Sequence, residues 1–414
     1  MSLASKDRIV IVGAGQAAIQ LAQTLRMKGH AGPITLLGEE SAPPYQRPPL
    51  SKAFMKGDLA EEKLFLKPLS FYENKDVGLC LNTRVTGIDR ANKTVTCADG
   101  TSHDYDRLVL ATGSRPRMLD SIAHLENVQV LRGLEDAKAL KARLSDLKHV
   151  TVLGGGYIGL EAAAVLRGMG IDVVVLERMP RLLARVTGET ISDYFLRLHR
   201  HHGVNILCDV EVTEYVSSDD RLTAVKLADG RDIATDLLLV GIGVLPNQEL
   251  AEEAGLECGN GIIVDEDSRT SDERIYAIGD CSMRPLQGQP QKLRLESVPN
   301  AIDQADIVAA HILGAERPGY NPPWFWSDQY DIKIQTAGLF TGHTHTVVRG
   351  DIEVGRFAVF YFESDRFIAV DAINDPQSFM AGKQVLKLSI PLKRHHLEET
   401  DEPMMSIVKK LQQK

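Results

Sequence analysis

Short apolar runs, glycine-containing turns and amphipathic stretches follow one another along most of the chain. The apolar run Ile9–Val12 leads into the glycines of "GAGQAA" (13–18), and the run "HVTVL" (149–153) leads into "GGGYIGLE" (154–161). In both places an amphipathic stretch of helical period comes next. An apolar strand, a glycine turn and a helix in that order are typical of a parallel βα unit. The pattern therefore predicts two domains that each open with such a unit.

One stretch of the chain recurs 130 residues later. The sequence "ADGTSHDYDRLVLATGSRP" (98–116) matches "ADGRDIATDLLLVGIGVLP" (228–246), with Asp106 and Asp236 at equivalent positions. In each copy an Asp-Gly pair lies between alternating apolar residues, which predicts a β-hairpin, and an apolar strand follows. Such self-similarity indicates a repeated structural unit. We therefore expect two similarly built nucleotide-binding domains.

The second domain is predicted to be inserted in the first. After the second copy, "SDERIYAIGDCS" (271–282) forms another short apolar strand, and residues 296–314 form an amphipathic helix that begins with Ser and Pro. From residue 322 the pattern changes to alternating strands followed by a helix. The predicted fold class is α/β, with two doubly wound dinucleotide-binding domains and a C-terminal α+β domain. The predicted boundaries are 1–113 with 244–320, then 114–243, then 321–414.

Composition limits the classes of function. The chain has 414 residues and a net charge of −9, which gives no support to nucleic-acid binding. Its first residues are polar and no stretch of 18 apolar residues occurs, so we expect a cytoplasmic protein without a membrane segment. The histidines of "LHRHHG" (198–203) are expected at a helix end, where they complement the helix dipole. No metal site is predicted.

The first glycine turn has residue types that suit a dinucleotide. Gly13 permits a tight turn, and Gly15 allows backbone amides to approach a phosphate group. Glu39, at the end of the next predicted strand, is placed to accept hydrogen bonds from an adenosine ribose. We therefore expect a bound dinucleotide in the first domain.

The second glycine turn, with Gly154 and Gly156, has the same arrangement, and Glu177 ends the following strand. A carboxylate at this position favours the free 2′-hydroxyl of NADH and repels the 2′-phosphate of NADPH. We therefore expect NADH in the second domain. Three nearby arginines weaken that inference: Arg178, Arg181 and Arg185.

Two nucleotide sites in one chain mean either two exchangeable coenzymes or one resident cofactor that a visiting coenzyme reduces. The segment "PPYQRPPLSK" (43–52) lies among the residues that the first copy has in excess, and it ends on the cation Lys52. A cation there suits the N5–O4 edge of a flavin, whose reduced form is anionic. This favours a resident flavin.

The cysteine pattern argues against a thiol-dependent reductase. The five cysteines form no CxxC or CxxxxC pair, and residues 41–52 contain none. Flavoenzymes of this architecture that reduce disulfides or peroxides need such cysteines.

Six motifs together resemble one enzyme family. They are "GxGxxA", "PPLSK", "ATGSRPR", "GGGYIGLE", "AIGD" and "WFWSDQY", in this order. The chain resembles the FAD-containing, NADH-dependent ferredoxin reductases of bacterial monooxygenase and Rieske dioxygenase systems over essentially its whole length. "PPLSK" and "WFWSDQY" are the most specific of the six.

The resemblance implies where both cofactors bind. It places FAD in the first domain and NADH in the second, with Lys52 and Glu161 forming a catalytic ion pair. The residues implied to contact FAD are Gly13, Gly15, Ala17, Glu39, Lys52, Val85, Thr112, Gly113, Arg132, Asp280, Val298 and Trp326. Those implied to contact NADH are Gly154, Gly156, Tyr157, Ile158, Glu177 and Gly243.

The resemblance also implies the reaction. A hydride passes from NADH to FAD, and single electrons then pass to a two-iron two-sulfur ferredoxin that serves a terminal oxygenase. An acidic ferredoxin requires a local basic surface on this acidic protein, which we expect to include some of Arg294, Lys333, Arg349 and Lys387. We expect a monomer or weak dimer. Two alternatives stay open: an NADH oxidase with a small acceptor, and a redox-sensing interaction protein similar to apoptosis-inducing factor.

Overall fold

The computed structural model describes residues 6–398 and 402–413. Contacts between residues divide the chain into two compact units. Among the described residues, no helix is both long enough and apolar enough to cross a membrane. Unit 1 comprises the segments up to Arg47, Ala60–Arg115 and Val244–Tyr320, and unit 2 comprises Pro48–Leu59, Pro116–Gly243 and the segment from Asn321 onward.

The elements are mostly short strands joined by turns and helices. The β-strands of the described residues are β1 (Ile9–Val12), β2 (Ile34–Leu37), β3 (Val77–Cys80), β4 (Val85–Asp89), β5 (Thr94–Cys97), β6 (Ser102–Asp104), β7 (Arg107–Leu110), β8 (Ser114–Pro116), β9 (Val128–Gln129), β10 (His149–Leu153), β11 (Asp172–Leu176), β12 (Asn205–Leu207), β13 (Val212–Ser218), β14 (Arg221–Leu227), β15 (Asp232–Ala234), β16 (Leu237–Val240), β17 (Val244–Pro246), β18 (Cys258–Gly259), β19 (Gly261–Ile263), β20 (Ile275–Ala277), β21 (Ser282–Met283), β22 (Trp324–Gln329), β23 (Ile332–Gly338), β24 (His345–Asp351), β25 (Arg356–Glu363) and β26 (Arg366–Ile373). The α-helices are α1 (Gln16–Met27), α2 (Ala53–Lys56), α3 (Leu69–Asn74), α4 (Leu134–Arg143), α5 (Tyr157–Gly168), α6 (Glu189–His201), α7 (Glu249–Glu253), α8 (Val298–Leu313), α9 (Pro376–Leu388), α10 (His395–Glu398) and α11 (Met404–Gln412). Short 3-10 helices occupy Pro48–Ser51, Glu61–Lys63, Leu144–Asp146 and Gly279–Cys281.

The central sheet of unit 1 is parallel, with strand order β20-β7-β1-β2-β3. Ile9 and Ile11 of β1 pack in the core that includes residues of α1 and α8, whereas Val10 and Val12 pack in a separate core with Val95 of β5. Both faces of β1 are therefore buried. This explains why its sequence is a continuous apolar run rather than an alternating one.

Unit 2 repeats this arrangement. Its parallel sheet has the order β12-β11-β10-β16-β9, so β10 lies between β11 and β16 as β1 lies between β2 and β7. The amide of Arg8 donates a hydrogen bond to Asp106 Oδ2, and the amide of His149 donates one to Asp236 Oδ2, both at 2.8 Å. The repeated aspartate thus holds the start of the neighbouring strand in both copies. The predicted duplication and the α/β fold class are confirmed.

The C-terminal part of unit 2 is an antiparallel sheet with the order β22-β23-β26-β25-β24. Helices α9 and α11 share an apolar core with this sheet, including Phe360 and Val370. Helix α9 follows Asp375, whose side chain accepts a hydrogen bond from the amide of Ser378 at 3.1 Å and so caps the helix. The predicted α+β character of this region is confirmed.

A buried carboxylate lies in the core of unit 2. Asp371 of β26 is 3% exposed, and its Oδ2 accepts hydrogen bonds from Tyr361 Oη at 2.7 Å and from Thr187 Oγ1. Burial raises the pKa of Asp371 to about 6, whereas an exposed aspartic acid has a pKa of about 3.9. The folded protein therefore keeps this proton at pH values where the unfolded chain has released it.

We therefore expect Asp371 to lower the free energy of unfolding as the pH rises from about 4 to about 6, because the folded state binds more protons over this range. Asp371→Asn keeps an acceptor oxygen but cannot ionise. Between pH 4 and pH 7 the wild type should lose about 2 to 3 kcal/mol more than this variant. Urea unfolding of both proteins across this range measures the difference. Parallel pH profiles for the two proteins would contradict the expectation.

Candidate active site

Two glycines that follow the first strand of each parallel sheet are sterically required. Gly13 has φ +108°, and a Cβ atom there would lie 2.2 Å from the carbonyl oxygen of Ala111. Gly154 has φ +110°, and a Cβ atom there would lie 2.4 Å from the carbonyl oxygen of Gly241. Backbone atoms cannot give way by that much, and side chains disfavour this conformation. Both predicted tight turns therefore depend on glycine.

The helices after these turns begin with backbone amides that no described side chain caps. Gly15 and Gly156 are the N-caps of α1 and α5. A Cβ atom built on either glycine meets no described atom within 4 Å. Uncapped amides and the helix dipole together bind anions. The amides and the space beside them fit the pyrophosphate of a dinucleotide at both turns.

The FAD residues predicted in unit 1 lie mainly at one edge of its parallel sheet. Glu39 follows β2, Thr112 and Gly113 follow β7, and Asp280 follows β20. The carboxyl ends of parallel strands meet at a single edge, where ligands of open α/β sheets bind. This edge also carries the Gly13 turn. Of the other predicted contacts in this unit, Ala17 lies in α1, Val85 begins β4 and Val298 begins α8.

Two side chains at this edge differ in their availability to a ligand. Thr112 Oγ1 donates a hydrogen bond to the carbonyl oxygen of Asn247 at 2.6 Å, so this hydroxyl group supports the loop. The Glu39 side chain is 68% exposed, with Arg84 Nη1 3.5 Å from its Oε1. Its carboxylate can therefore accept hydrogen bonds from the hydroxyl groups of a ribose.

The NADH residues predicted in unit 2 lie at the equivalent edge of the second sheet. Glu177 follows β11, and its two carboxylate oxygens accept hydrogen bonds from the amides of Gly155 at 2.6 Å and Met179 at 2.7 Å. These backbone donors fix the carboxylate beside the second glycine turn. The remaining predicted contacts are Tyr157 and Ile158, which begin α5, and Gly243, which follows β16.

We expect Glu177 to favour NADH over NADPH by roughly 30- to 150-fold, because a 2′-phosphate facing the carboxylate costs on the order of 2–3 kcal/mol. The Arg181 guanidinium is engaged elsewhere, since it donates to the carbonyl oxygen of Thr187 at 2.8 Å and to Ser192 Oγ at 2.7 Å. Glu177→Ala should therefore bring kcat/KM for the two coenzymes close together. Glu189→Ala, at an exposed position of α6, is the control. Equal values for NADH and NADPH in the wild type would refute this role.

Three residues predicted to contact FAD belong to unit 2. Lys52 follows the turn Pro48–Ser51, Arg132 precedes α4, and Trp326 lies in β22. The Trp326 ring centroid lies 5.6 Å from that of Trp324, so the two indoles pack together. Contact of these three residues with FAD stays a prediction.

The predicted ion pair between Lys52 and Glu161 is formed within unit 2. Lys52 Nζ lies 2.8 Å from Glu161 Oε1, and the two side chains are 19% and 5% exposed. Ser51 Oγ donates to Glu161 Oε2 at 2.7 Å, and Ser327 Oγ donates to Oε1 at 2.6 Å. Hydrogen bonds of this kind offset the cost of removing a carboxylate from water. The glutamate is therefore held in place by one cation and two hydroxyl groups.

Sequence reasoning did not identify Ser51 and Ser327. Ser51 lies in "PPLSK" and Ser327 lies in "WFWSDQY", the two most specific motifs. A serine is common in turns and strands, so the residue type alone carried no signal. Membership of these motifs was the only signal that could have found them.

A cleft of about 410 Å³ opens beside this ion pair. Helix α5 contributes residues from Glu161 to Gly168, Met169 follows the helix, and Tyr330 also lines the cleft. Because both charged groups of the pair line the cleft, solvent reaches the pair from this side. The lining residues are Lys52, Lys56, Asp58, Glu161, Ala164, Val165, Gly168, Met169, Asp328 and Tyr330.

The histidines at the end of α6 differ in their environments. His202 Nδ1 lies 2.9 Å from the carbonyl oxygen of Leu198, as expected at a helix end. His199 is fully buried, and burial lowers its pKa to about 4. The prediction that it complements the helix dipole by charge is therefore wrong, because its ring is neutral near pH 7. In residues 6–398 and 402–413, no group of three or more His, Cys, Asp or Glu side chains is placed to hold a metal ion.

The basic residues predicted for a docking surface are not equally exposed. The Arg294 side chain is 8% exposed, and its Nη1 lies 2.6 Å from Glu296 Oε1. Arg294 is therefore not one of those that line a docking surface, because a buried guanidinium cannot meet a partner protein. Lys333 is 56% exposed, Lys387 is exposed, and Arg349 is half-buried.

Two dinucleotide-type glycine turns and a buried lysine–glutamate pair, in a chain whose five cysteines are all free, define a nucleotide-dependent oxidoreductase that works without a cysteine pair. Residues 7–305 match the family described as Pyridine nucleotide-disulphide oxidoreductase, and residues 324–408 match the family described as Reductase C-terminal. The chain belongs to the pyridine nucleotide-disulphide oxidoreductase family.

Known proteins narrow this class further. The chain is 44% identical to the probable ferredoxin reductase CtmF of Castellaniella defragrans, over 95% of this chain and 97% of that protein. It is 41% identical to a rubredoxin-NAD(+) reductase of Pseudomonas putida, over 89% of this chain and 96% of that protein. A chain in the crystal structure of the covalent putidaredoxin reductase–putidaredoxin complex matches with a TM-score of 0.95 and 39% identity, over 99% of both chains. The resemblance seen in the sequence is confirmed: the protein is an FAD- and NAD(H)-dependent oxidoreductase of the ferredoxin reductase group.

Proposed function

We propose that the protein transfers a hydride from NADH to resident FAD and then passes single electrons to a two-iron two-sulfur ferredoxin that serves an oxygenase. The observation that carries the proposal is the pair of equivalent, uncapped glycine turns, one on each parallel sheet. Bound FAD supplies the conversion from a two-electron donor to a one-electron acceptor. The absence of a cysteine pair among the five free cysteines favours direct electron transfer to the partner.

The proposal divides the cofactors between the predicted domains. FAD is assigned to residues 1–113 with 244–320, NADH to residues 114–243, and the partner-facing region to residues 321–414. In the first site the amides after Gly13 and Gly15 bind the FAD pyrophosphate, and Glu39 binds its ribose. The other residues predicted from the sequence to contact FAD or NADH are proposed to contact the same cofactor.

We assign Lys52 and Glu161 to the reacting end of the site. Lys52 Nζ stabilises the negative charge that a flavin gains on reduction. Glu161 holds the lysine in place through the 2.8 Å contact between its Oε1 and Lys52 Nζ. Rearrangement of this pair when NADH arrives would link coenzyme binding to hydride transfer.

The ferredoxin assignment follows from the relatives and from charge. The name of one relative specifies a ferredoxin, that of another specifies rubredoxin, and the matched crystal structure contains putidaredoxin. We propose that the partner is acidic and docks near Lys333 and Lys387, which are the exposed members of the predicted basic set. Redox partners form small interfaces with charged rims, and these rim charges change the rate of association more than electron transfer itself.

The test is NADH-driven cytochrome c reduction with a two-iron ferredoxin as mediator, titrated from low to high salt. We expect reduction to require the ferredoxin, and Lys333→Glu and Lys387→Glu to raise the KM for ferredoxin several-fold at low salt. A one-iron rubredoxin in its place should be reduced more slowly. Lys28→Glu, at an exposed position after α1, is the matched control. If neither charge reversal nor salt changes the KM for ferredoxin, the proposed docking surface is wrong.

The same assay separates the two alternatives. NADH consumption that forms peroxide or water and ignores every added carrier would establish an NADH oxidase. Slow turnover with all carriers, together with a long-lived charge-transfer complex between NAD and reduced flavin, would favour the interaction protein. Either result would overturn the proposed electron transfer.

We propose a monomer or weak dimer in the cytoplasm, where the five free cysteines stay reduced. Size-exclusion chromatography with light scattering measures the mass, and a stable higher oligomer would refute the first part. Cell fractionation with an antibody against the protein tests the second.

A further inference from the structure

Buried polar side chains in unit 2 form a continuous hydrogen-bonded chain that ends on Glu161. Ser327 Oγ donates to Glu161 Oε1 at 2.6 Å, Gln329 Nε2 donates to Ser327 Oγ at 3.3 Å, and Gln329 Oε1 lies 2.7 Å from His199 Nε2. Tyr330 Oη lies 3.3 Å from His199 Nδ1 at the other end. Ser327, Gln329 and His199 are 0%, 1% and 0% exposed. Water therefore does not compete for these bonds.

The side chains of this hydrogen-bonded series come from three elements. Ser327 and Gln329 are two residues apart in β22, so both side chains project from the same face of the sheet. Asp328 between them is only half-buried, as expected for the other face. His199 comes from α6 and Glu161 from α5. The face of β22 that carries Ser327 and Gln329 is therefore polar but buried, which is unusual for a strand unless each polar group is satisfied.

The charge on Glu161 fixes the direction of every hydrogen bond. A carboxylate only accepts, so Ser327 must donate its hydrogen there and can only accept from Gln329. Gln329 must then turn its amide N–H toward Ser327 and its oxygen toward His199. His199 is neutral near pH 7, so it carries its hydrogen on Nε2 and accepts from Tyr330 on Nδ1. Each bond polarises the next one toward the carboxylate.

We propose that Ser327, Gln329 and His199 are positioning residues that hold Glu161 Oε1 against Lys52. Lys52 Nζ and Ser327 Oγ both bind this one oxygen, so a displaced or reoriented serine hydroxyl changes where the lysine charge sits. The inference rests on the function proposed for Lys52 and Glu161 in flavin reduction. It extends that function to residues of β22 and α6 that had no predicted role in the reaction.

The first test determines the direction of these hydrogen bonds and does not depend on enzyme activity. Nitrogen NMR of the holoenzyme labelled with ¹⁵N-histidine distinguishes the two neutral ring tautomers and the charged ring, and loss of a signal in His199→Phe assigns it. We expect a neutral ring with its hydrogen on Nε2 from about pH 6 to pH 8. A hydrogen on Nδ1, or a charged ring in this range, would overturn the directional chain.

The second test reads its effect on the ion pair. In stopped-flow reduction by NADH, Ser327→Ala and Gln329→Leu should slow the hydride step by about 10- to 100-fold, the cost of a small displacement at a reacting centre. The Kd for NADH should not change, and Ser327→Thr, which keeps the hydroxyl group, should restore most of the rate. Ser378→Ala removes a buried hydroxyl group of α9 outside this hydrogen-bonded chain, 7% exposed, and should reduce flavin at the wild-type rate.

Two outcomes separate this inference from the function on which it rests. If Lys52→Met slows flavin reduction while Ser327→Ala and Gln329→Leu reduce flavin at the wild-type rate, only the positioning role is overturned. A wild-type rate in Lys52→Met would overturn the proposed function of the ion pair itself. If Ser327→Ala does not fold, Gln329→Leu carries the same comparison, because it removes the donor to Ser327 and keeps the volume.

Discussion

Replacing Lys52 with methionine will slow the reduction of the bound flavin by NADH by about 100-fold, because the site loses a preorganised cation where negative charge develops. The midpoint potential of the flavin will fall as well, since its reduced form is no longer stabilised. Stopped-flow absorbance gives the rate, and a spectroscopic redox titration gives the potential.

The structure supplies a matched control for this variant. Lys56→Met changes a lysine of α2 that lines the same cleft but is exposed and lies one helical turn beyond Lys52. It should leave both the rate and the potential unchanged. If Lys52→Met shows the wild-type rate and potential, the ion pair has no part in flavin reduction.

Loss of Lys52 also leaves Glu161 as a buried charge without a cation, and breaking such a pair costs about 3–5 kcal/mol of stability. Glu161 is 5% exposed, although Ser51 and Ser327 still donate to it. The double variant Lys52→Met, Glu161→Gln removes both charges. It should regain most of the stability in urea and stay slow in flavin reduction. A double variant that regains the rate as well would show that the defect was one of stability.

Replacing Gly15 with valine will yield a folded protein without FAD. Gly15 has φ −106° and ψ −163°, an extended conformation that valine adopts readily, and a Cβ atom there meets no described atom within 4 Å. The new side chain therefore enters only the space assigned to the pyrophosphate. Flavin per chain, read from the visible spectrum of the purified protein, should fall close to zero while circular dichroism stays at the wild-type level.

Gly319→Val is the control for this substitution. Gly319 is exposed, also lies in unit 1, and a Cβ atom there likewise meets nothing within 4 Å. It should retain one flavin per chain. Stoichiometric flavin in purified Gly15→Val would show that the first glycine turn does not hold the cofactor.

Local patterns explain why much of this protein could be predicted. Strands β1 and β10 are mainly apolar runs, and each is followed by a glycine with a positive φ, Gly13 or Gly154, so both turns are visible within a short stretch of sequence. Asp106 and Asp236 stand at equivalent positions because each accepts the same backbone hydrogen bond in its copy of the repeat. Such features leave their mark in the order of residue types. The family resemblance added the Lys52–Glu161 pair, which no local pattern implies.

The rest depended on contacts between distant segments. Arg294 was one of four candidates for the docking surface, but its side chain is only 8% exposed because neighbours that its local sequence does not specify cover it. His199 was expected to carry a role at a helix end, yet packing on β22 makes it a neutral member of a buried chain.

The sequence by itself determined the α/β class, the duplication, the glycine turns and the placement of acidic residues at strand ends, because periodicity and turn chemistry act over a few residues. Only the tertiary structure decided that Ser51 and Ser327 join Lys52 around Glu161. Such a carboxylate is stable in a core only when groups from several elements converge on it, and this convergence depends on how the elements pack.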